Sequence, residues 1–123
     1  MGESKMITTK IIEKPWGYEE IYAENEKYIG KVLHIKAGHR LSKQYHKVKD
    51  ETLMLFSGQA YIEYSGERGG YMNVRMHRGY SYRILPGVVH RLSASQAEDA
   101  DVLEVSTPEG DDVVRLEDDY KRI

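Results

Sequence analysis

The chain contains no cysteine. Disulfides, zinc–thiolate sites, iron–sulfur clusters and a cysteine nucleophile are thereby excluded. It also lacks any apolar run approaching the roughly 20 residues that a membrane-spanning helix needs, so no membrane partner is expected. A basic surplus is missing too: 18 Lys and Arg stand against 20 Asp and Glu, for a formal charge of -2. A nucleic-acid partner is not expected, because displacing phosphate counterions requires that surplus. Neither Asn25 nor Asn73 opens an Asn-x-Ser/Thr sequon. Met1-Gly2-Glu3-Ser4-Lys5-Met6 has no secretory apolar core, and Met6 stands where a myristoylation signal carries Ser or Thr. The expectation is a small cytoplasmic domain.

What the chain does hold points to strands. Tyrosine occurs ten times against one Phe and one Trp, and 11 glycines supply tight turns for a chain of 123 residues. Residues 1–6 read as a frayed tail, and residues 7–123 as one domain. Short strands are expected over 7–12, 18–22, 28–37, 52–56, 59–64, 71–76, 80–85, 88–92 and 102–106. Between them lie punctuators such as Lys14-Pro15-Trp16-Gly17, Asn25-Glu26-Lys27, Ser57-Gly58, Pro86-Gly87 and Pro108-Glu109-Gly110. In the third strand Leu33, Ile35 and Ala37 alternate with Val32, His34 and Lys36. The segment from Val113 to Tyr120 is amphipathic and is expected to pack back on the body. No helix is expected, and the strand spacing is that of a sandwich or barrel.

The segment Leu41-Ser42-Lys43-Gln44-Tyr45-His46 is extended yet polar on both faces, which suggests a lined cavity. Gln44 and His46, two residues apart, project to one face of a strand. Glu51 returns to the same face if the flanking strands pair, and His90 follows the Pro86-Gly87 turn on a later strand. One amide oxygen, two imidazoles and one carboxylate suit a divalent ion: zinc foremost, with manganese, iron, cobalt or nickel as alternatives. His34, His39 and His77 lack such neighbours and read as surface or hydrogen-bonded residues.

These positions carry a resemblance. Gly38-x5-Gln44-x-His46-x4-Glu51-x6-Gly58 resembles the first cupin motif, with Gln in place of its first His. Gly79-x5-Leu85-Pro86-Gly87-x2-His90 resembles the second, although its proline is displaced by one residue and Ala94 stands where the motif ends in Asn. More narrowly, the chain resembles the cupin domain of type II mannose-6-phosphate isomerases. The likeness runs through Lys14-Pro15-Trp16-Gly17, Gly38 to His46, Gly87 to Leu92, Leu103-Glu104-Val105 and Val114 to Tyr120. That family's core reads Gln-x-His-His-His-Arg-x-Glu-His-Trp; here it is Gln44-Tyr45-His46-Lys47-Val48-Lys49-Asp50-Glu51-Thr52-Leu53, so the ligand positions persist and the extra His, Arg and His-Trp do not.

The resemblance implies an all-β, single-domain cupin, a jelly-roll barrel, with Gln44, His46, Glu51 and His90 as metal ligands. It further implies an aldose–ketose isomerase of the mannose-6-phosphate/fructose-6-phosphate type, working through an enediol. Lys36 and Lys43 are the candidate general bases, and Arg40 and Lys49 the candidate groups for the sugar or its phosphate. A homodimer is expected, since small cupins leave sheet edges exposed and the strand around Ile7 to Ile12 can reach a partner. Two other functions fit the same residues: a non-catalytic cupin binding a sugar or other metabolite, and an iron-dependent oxygenase using two His and one carboxylate.

Overall fold

The computed structural model describes residues 2–66 and 68–123. Eleven strands follow in order: β1 Lys10–Lys14, β2 Gly17–Glu24, β3 Ile29–Ile35, β4 Lys43–Tyr45, β5 Glu51–Gly58, β6 Ala60–Ser65, β7 Tyr71–Arg75, β8 Ser81–Ile84, β9 His90–Ala94, β10 Ala100–Ser106 and β11 Val114–Glu117. They form two sheets, one in the order β1-β2-β3-β10-β5-β8 and the other β11-β4-β9-β6-β7, and every pairing is antiparallel. The described residues contain no helix.

Alternation decides which residues meet between the sheets. From the larger sheet come Leu33, Ile35, Leu53, Leu55, Ile84 and Val102; from the smaller come Ala60, Ile62, Leu92 and Ala94, with Trp16 and Met76 closing the ends. Burying a side chain of this size contributes about 1.5–3 kcal/mol. Connections pass from sheet to sheet, as in a jelly roll. The β5–β6 crossing turns on Gly58, whose φ is +81°; a Cβ there would lie 2.0 Å from the Asp99 carbonyl oxygen. Gly17 is as constrained, since a Cβ would meet the His34 carbonyl oxygen at 1.8 Å.

The first strand starts three residues later than the hydrophobic pattern suggests and ends two later. The Pro15-Trp16 turn sets Lys14 opposite Gly17, and pairing then runs back only to Lys10 opposite Ile21. Ile7 stays exposed, outside any strand. At the other end, β11 joins β4 as a sheet edge, so the amphipathic tail packs by strand pairing.

Candidate metal centre

The two sheets deliver charged side chains to one end of the interior. In the smaller sheet, Arg115, Gln44, His90 and Tyr64 form one cross-strand row over β11, β4, β9 and β6. His46 follows Gln44 on the same face. In the larger sheet, Glu51 opens β5 on the inward face that Leu53 and Leu55 continue. The loops that carry His46 out of β4 and lead to His90 on β9 are tied directly, because the Gly87 N–H donates to the His46 carbonyl oxygen at 2.7 Å. His46, Glu51 and His90 are each buried to 3% exposure, and one ligand atom from each lies within 4.8 Å of the others.

Glu51 Oε1 is 3.0 Å from His90 Nε2 and 3.5 Å from His46 Nε2. The far nitrogens are committed elsewhere: His90 Nδ1 contacts the Val88 carbonyl oxygen at 2.9 Å, and His46 Nδ1 contacts that of Asp112. A carbonyl only accepts, so each Nδ1 carries the hydrogen and each neutral ring turns its Nε2 lone pair toward Glu51. Three acceptors thus converge with no hydrogen of a neutral ring between them. A cation at that point satisfies all three, and backbone carbonyls on the remote imidazole nitrogens are the arrangement that orients histidine ligands.

Gln44 completes the set. Its side chain meets the Ser42 hydroxyl at 2.6 Å and lies 3.5 Å from His46 Nε2. Exchanging the amide O and N would turn the oxygen inward, and the Ser42 hydroxyl accepts as readily as it donates. Beside the cluster, Gln44, Glu51 and His90 border a void of about 20 Å³, the scale of one water or ion. The donor set and this void fit a divalent ion.

Behind the ligands runs a chain of alternating buried charges. Glu19 on β2 meets Lys31 on β3 at 3.1 Å, Lys31 lies 3.8 Å from Glu104 on β10, Glu104 is 3.1 Å from Lys49, and Lys49 is 3.3 Å from the second oxygen of Glu51. All five are less than a tenth exposed. Burial raises the Glu51 carboxyl, but without a cation in the site the hydrogen bonds that His46 and His90 donate from Nε2 once their rings are protonated, together with the Lys49 charge, outweigh it and hold the group well below the usual carboxylate range. Burial, joined by the charge of Glu51, pushes Glu104 up against the pull of Lys49 and Lys31. Lys49 is disfavoured by burial, yet Glu104 and Glu51 raise it above an ordinary lysine.

Asp112 braces this region at two points. Its carbonyl takes His46 Nδ1, and its carboxylate accepts the backbone N–H groups of Lys47, Val48 and Lys49 at 3.1, 2.7 and 2.9 Å. Those bonds, led by the one from Lys49, lower the Asp112 carboxyl to about 2. The site opens into a cavity of about 570 Å³, lined among others by Trp16, Lys31, Leu41, Gln44, His46, Lys49, Glu104, Val113 and Arg115.

The structure brings Gln44, His46, Glu51, His90 and Lys49 together. Three other candidates do not reach the cavity. Lys36 follows inward-facing Ile35 and is exposed. Lys43 alternates with Gln44, so it lies on the outer face, where it pairs with Glu117 at 3.1 Å and covers the Tyr71 ring. Arg40 is held outside by Asp119 through bonds of 2.7 and 2.9 Å. Lys36 and Lys43, by period-two alternation, and Arg40, by its pairing with Asp119, thus lie outside the cavity lining. Glu19, Lys31, Glu104 and Arg115 took their place in the cavity. Their signal was a charged residue in register with an apolar face, as Lys31 is with Ile29, Leu33 and Ile35.

Two antiparallel sheets with a His/Glu/His cluster between them define a cupin. The solved structures with this architecture include the capsular polysaccharide assembling protein CapF from Staphylococcus aureus, with a TM-score of 0.76 at 16% identity over 91% of this chain and 35% of that one. Oxalate decarboxylase from Bacillus subtilis gives 0.76 at 17% identity, over 93% of this chain and 34% of that one. KdgF from Halomonas sp. gives 0.70 at 17% identity, over 83% and 88%. These likenesses establish the fold. A family model described as mannose-6-phosphate isomerase C-terminal matches residues 1–118, and the chain belongs to that family. It is 32% identical over 116 residues to mannose-1-phosphate guanylyltransferase ManC of Salmonella typhimurium, a match covering 91% of this chain and 23% of that protein. The chain thus spans about a quarter of that relative's length.

Proposed function

We propose that this cupin is a metal-dependent sugar-phosphate isomerase that interconverts aldose and ketose forms, of the mannose-6-phosphate/fructose-6-phosphate type, through an enediol. The observation that carries the reading is the convergence of His46, Glu51 and His90 beside the 570 Å³ cavity; membership of the isomerase C-terminal family supports it. A divalent ion, zinc first, would be held by His46, Glu51 and His90 with Gln44. Such an ion supplies Lewis-acid polarisation of the substrate carbonyl.

The chain's own groups supply the rest. Moving a proton between adjacent carbons requires a base within reach of the carbon-bound hydrogen. Glu104 has the place for it: it lines both the cavity and the small void, and its buried Oε2 accepts no aligned hydrogen bond among the described residues, although Lys49 Nζ lies 3.1 Å from it. In the proposed cycle Glu104 takes the proton from the carbon beside the carbonyl and returns it to the former carbonyl carbon, while the proton of the adjacent hydroxyl passes to the former carbonyl oxygen. Its raised carboxyl and the lowered one of Glu51 divide the work, one exchanging a proton and the other staying ionised. Lys49, held charged, keeps Glu51 ionised and is itself no base. Trp16, Leu33, Leu41 and Val113 supply the apolar part of the cavity wall.

One observation favours a second reading, a non-catalytic cupin that binds a sugar or other metabolite. Glu104 sits between Lys31 and Lys49, which stabilise its carboxylate and so weaken it as a base. The metal-loaded protein, incubated with mannose-6-phosphate in D2O, separates the two. The isomerase yields fructose-6-phosphate carrying deuterium on the exchanged carbon, and Glu104→Gln abolishes exchange while retaining metal. Sugar binding without exchange for any hexose phosphate leaves the second reading; oxygen uptake by the iron-loaded protein would point to an oxygenase instead. We also propose that two copies associate through β1, an edge strand with Ile11 and Ile12 exposed. A single monomeric species in sedimentation equilibrium would refute that.

A further inference from the structure

The cavity lining contains six cationic side chains: Lys10, Lys14, Lys31, Lys49, Arg115 and Arg122. Four are neutralised within the chain. Lys10 pairs with Glu24, Lys31 with Glu19 and Glu104, Lys49 with Glu51 and Glu104, and Arg122 with Asp118. Arg115 and Lys14 have no ion pair among the described residues. Arg115 is the more telling of the two, because its Nε is buried with no hydrogen-bond partner. A buried N–H donor without an acceptor costs roughly 1–3 kcal/mol, so it calls for a reason.

Position supplies one. Arg115 is directly paired with Gln44, and Gln44 with His90, so the guanidinium belongs to the same inward row as two residues of the metal centre. Neighbouring strands lie about 4.8 Å apart, which sets Arg115 one strand from Gln44 and two, roughly 10 Å, from His90. Of the acids lining the cavity, Asp111 alone lacks an ion pair among the described residues, and it is exposed at the rim. Two unpaired cations, Arg115 on β11 and Lys14 at the end of β1, against one rim carboxylate leave the cavity lining with a positive surplus among its unpaired groups.

We infer that Arg115, with Lys14, forms an anion subsite that receives the phosphate monoester of a ligand whose oxygens reach the metal centre. A guanidinium presents its N–H groups as a planar fork that matches two phosphate oxygens, and a phosphate monoester brings the near-double charge that two unpaired cations accommodate. The inference deepens the isomerase reading by naming the group that selects phosphorylated over neutral sugar, and it rests on that reading only for the identity of the sugar.

The test is binding, measured by calorimetry on the metal-free protein, with inorganic phosphate as the probe and mannose-6-phosphate and mannose as the second pair. Wild type is expected to bind phosphate, and to prefer mannose-6-phosphate to mannose. Arg115→Met should weaken phosphate binding by about tenfold or more, the loss expected for one charge-assisted pair, and should erase the preference. Arg115→Lys, which keeps charge but not the fork, should fall between. Arg40→Met, altering a guanidinium outside the cavity, should bind phosphate like wild type, and zinc affinity should be unchanged in Arg115→Met. The inference is overturned if wild type does not bind phosphate, or if folded Arg115→Met, judged by circular dichroism, binds it equally well. If Arg115-dependent phosphate binding is present but no hexose phosphate undergoes exchange, the isomerase reading falls while the anion subsite stands.

Discussion

Lys49→Met is the perturbation that most directly probes the buried charge chain. Lys49 is 4% exposed and sits 3.3 Å from Glu51 and 3.1 Å from Glu104. Removing it leaves two buried carboxylates without the cation between them. Breaking a buried ion pair from one side costs about 3–5 kcal/mol, a large share of the roughly 5–15 kcal/mol that holds a domain folded. The double variant Lys49→Met/Glu104→Met should regain most of that, because Glu51 keeps His46 and His90, Lys31 keeps Glu19, and no uncompensated charge remains at Glu104.

The pH dependence has a definite sign. Lys49 is raised in the folded state, so its contribution is full below the ordinary lysine range and fades only as pH rises through its folded value. Glu104 is raised, so it gives up its charge more readily than an exposed glutamate as pH falls. In Lys49→Met the carboxylate left behind can therefore take a proton, and the deficit should be smaller at pH 5 than at pH 8. Urea unfolding of chelator-treated protein at both pH values, over the cycle of two single variants and the double, measures each quantity. A deficit below about 1 kcal/mol, the scale of a surface pair, that is independent of pH and unrelieved by the second substitution would refute the coupling.

Three further outcomes follow from the same geometry. His46→Ala and His90→Ala should each abolish bound divalent metal, read by elemental analysis after dialysis, while the far-ultraviolet dichroism remains that of a β protein; retention of stoichiometric metal would show the cluster is not the site. Asp112→Ala should weaken metal affinity by about 10–100-fold, because the loop carrying Lys49 loses its three backbone anchors. The Asp112 carboxyl is lowered to about 2, so its stabilisation is present above the ordinary aspartate range and lost as pH falls toward 2; acid titration should show the two proteins converging there. Gly58→Ala should destabilise by about 1–3 kcal/mol from backbone strain alone, with the Asp99 carbonyl clash added; a melting temperature equal to wild type would contradict that turn geometry.

The parts legible in the sequence were those governed by period two and by turn chemistry. Alternation through Leu33 and Ile35, the Gly58 and Gly87 turns, and the spacing of Gln44, His46, Glu51 and His90 are local signals, and each reappears in the architecture. What escaped were facts that depend on which strands become neighbours. Glu19, Lys31 and Glu104 are far apart in the chain, and only the β2-β3-β10 order sets them side by side. Arg115 reads only as one residue of an amphipathic tail until β11 is paired with β4 in register with Gln44. The same alternation, applied strictly, places Lys43 outside, since it is adjacent to inward-facing Gln44.

Glu51 and Glu104 show why strand order, more than residue type, sets the chemistry here. Both are glutamates on the inward face of one sheet, on adjacent strands β5 and β10, and both touch Lys49. Glu51 additionally faces two imidazoles delivered by the opposite sheet, and its charge is stabilised enough to overcome burial. Glu104 faces no imidazole contact of that kind among the described residues; it meets lysines on both sides but also feels the charge of Glu51. Lowering the charge at Glu51, by replacement with Gln, should therefore relax Glu104 back toward an ordinary carboxyl, even though the substituted residue is the ligand and not the proposed base. Carbon-13 labelling of the glutamate side chains would follow that titration in the chelator-treated protein. If the Glu104 resonance titrates unchanged in Glu51→Gln, burial alone sets its proton affinity, and the two carboxylates act independently.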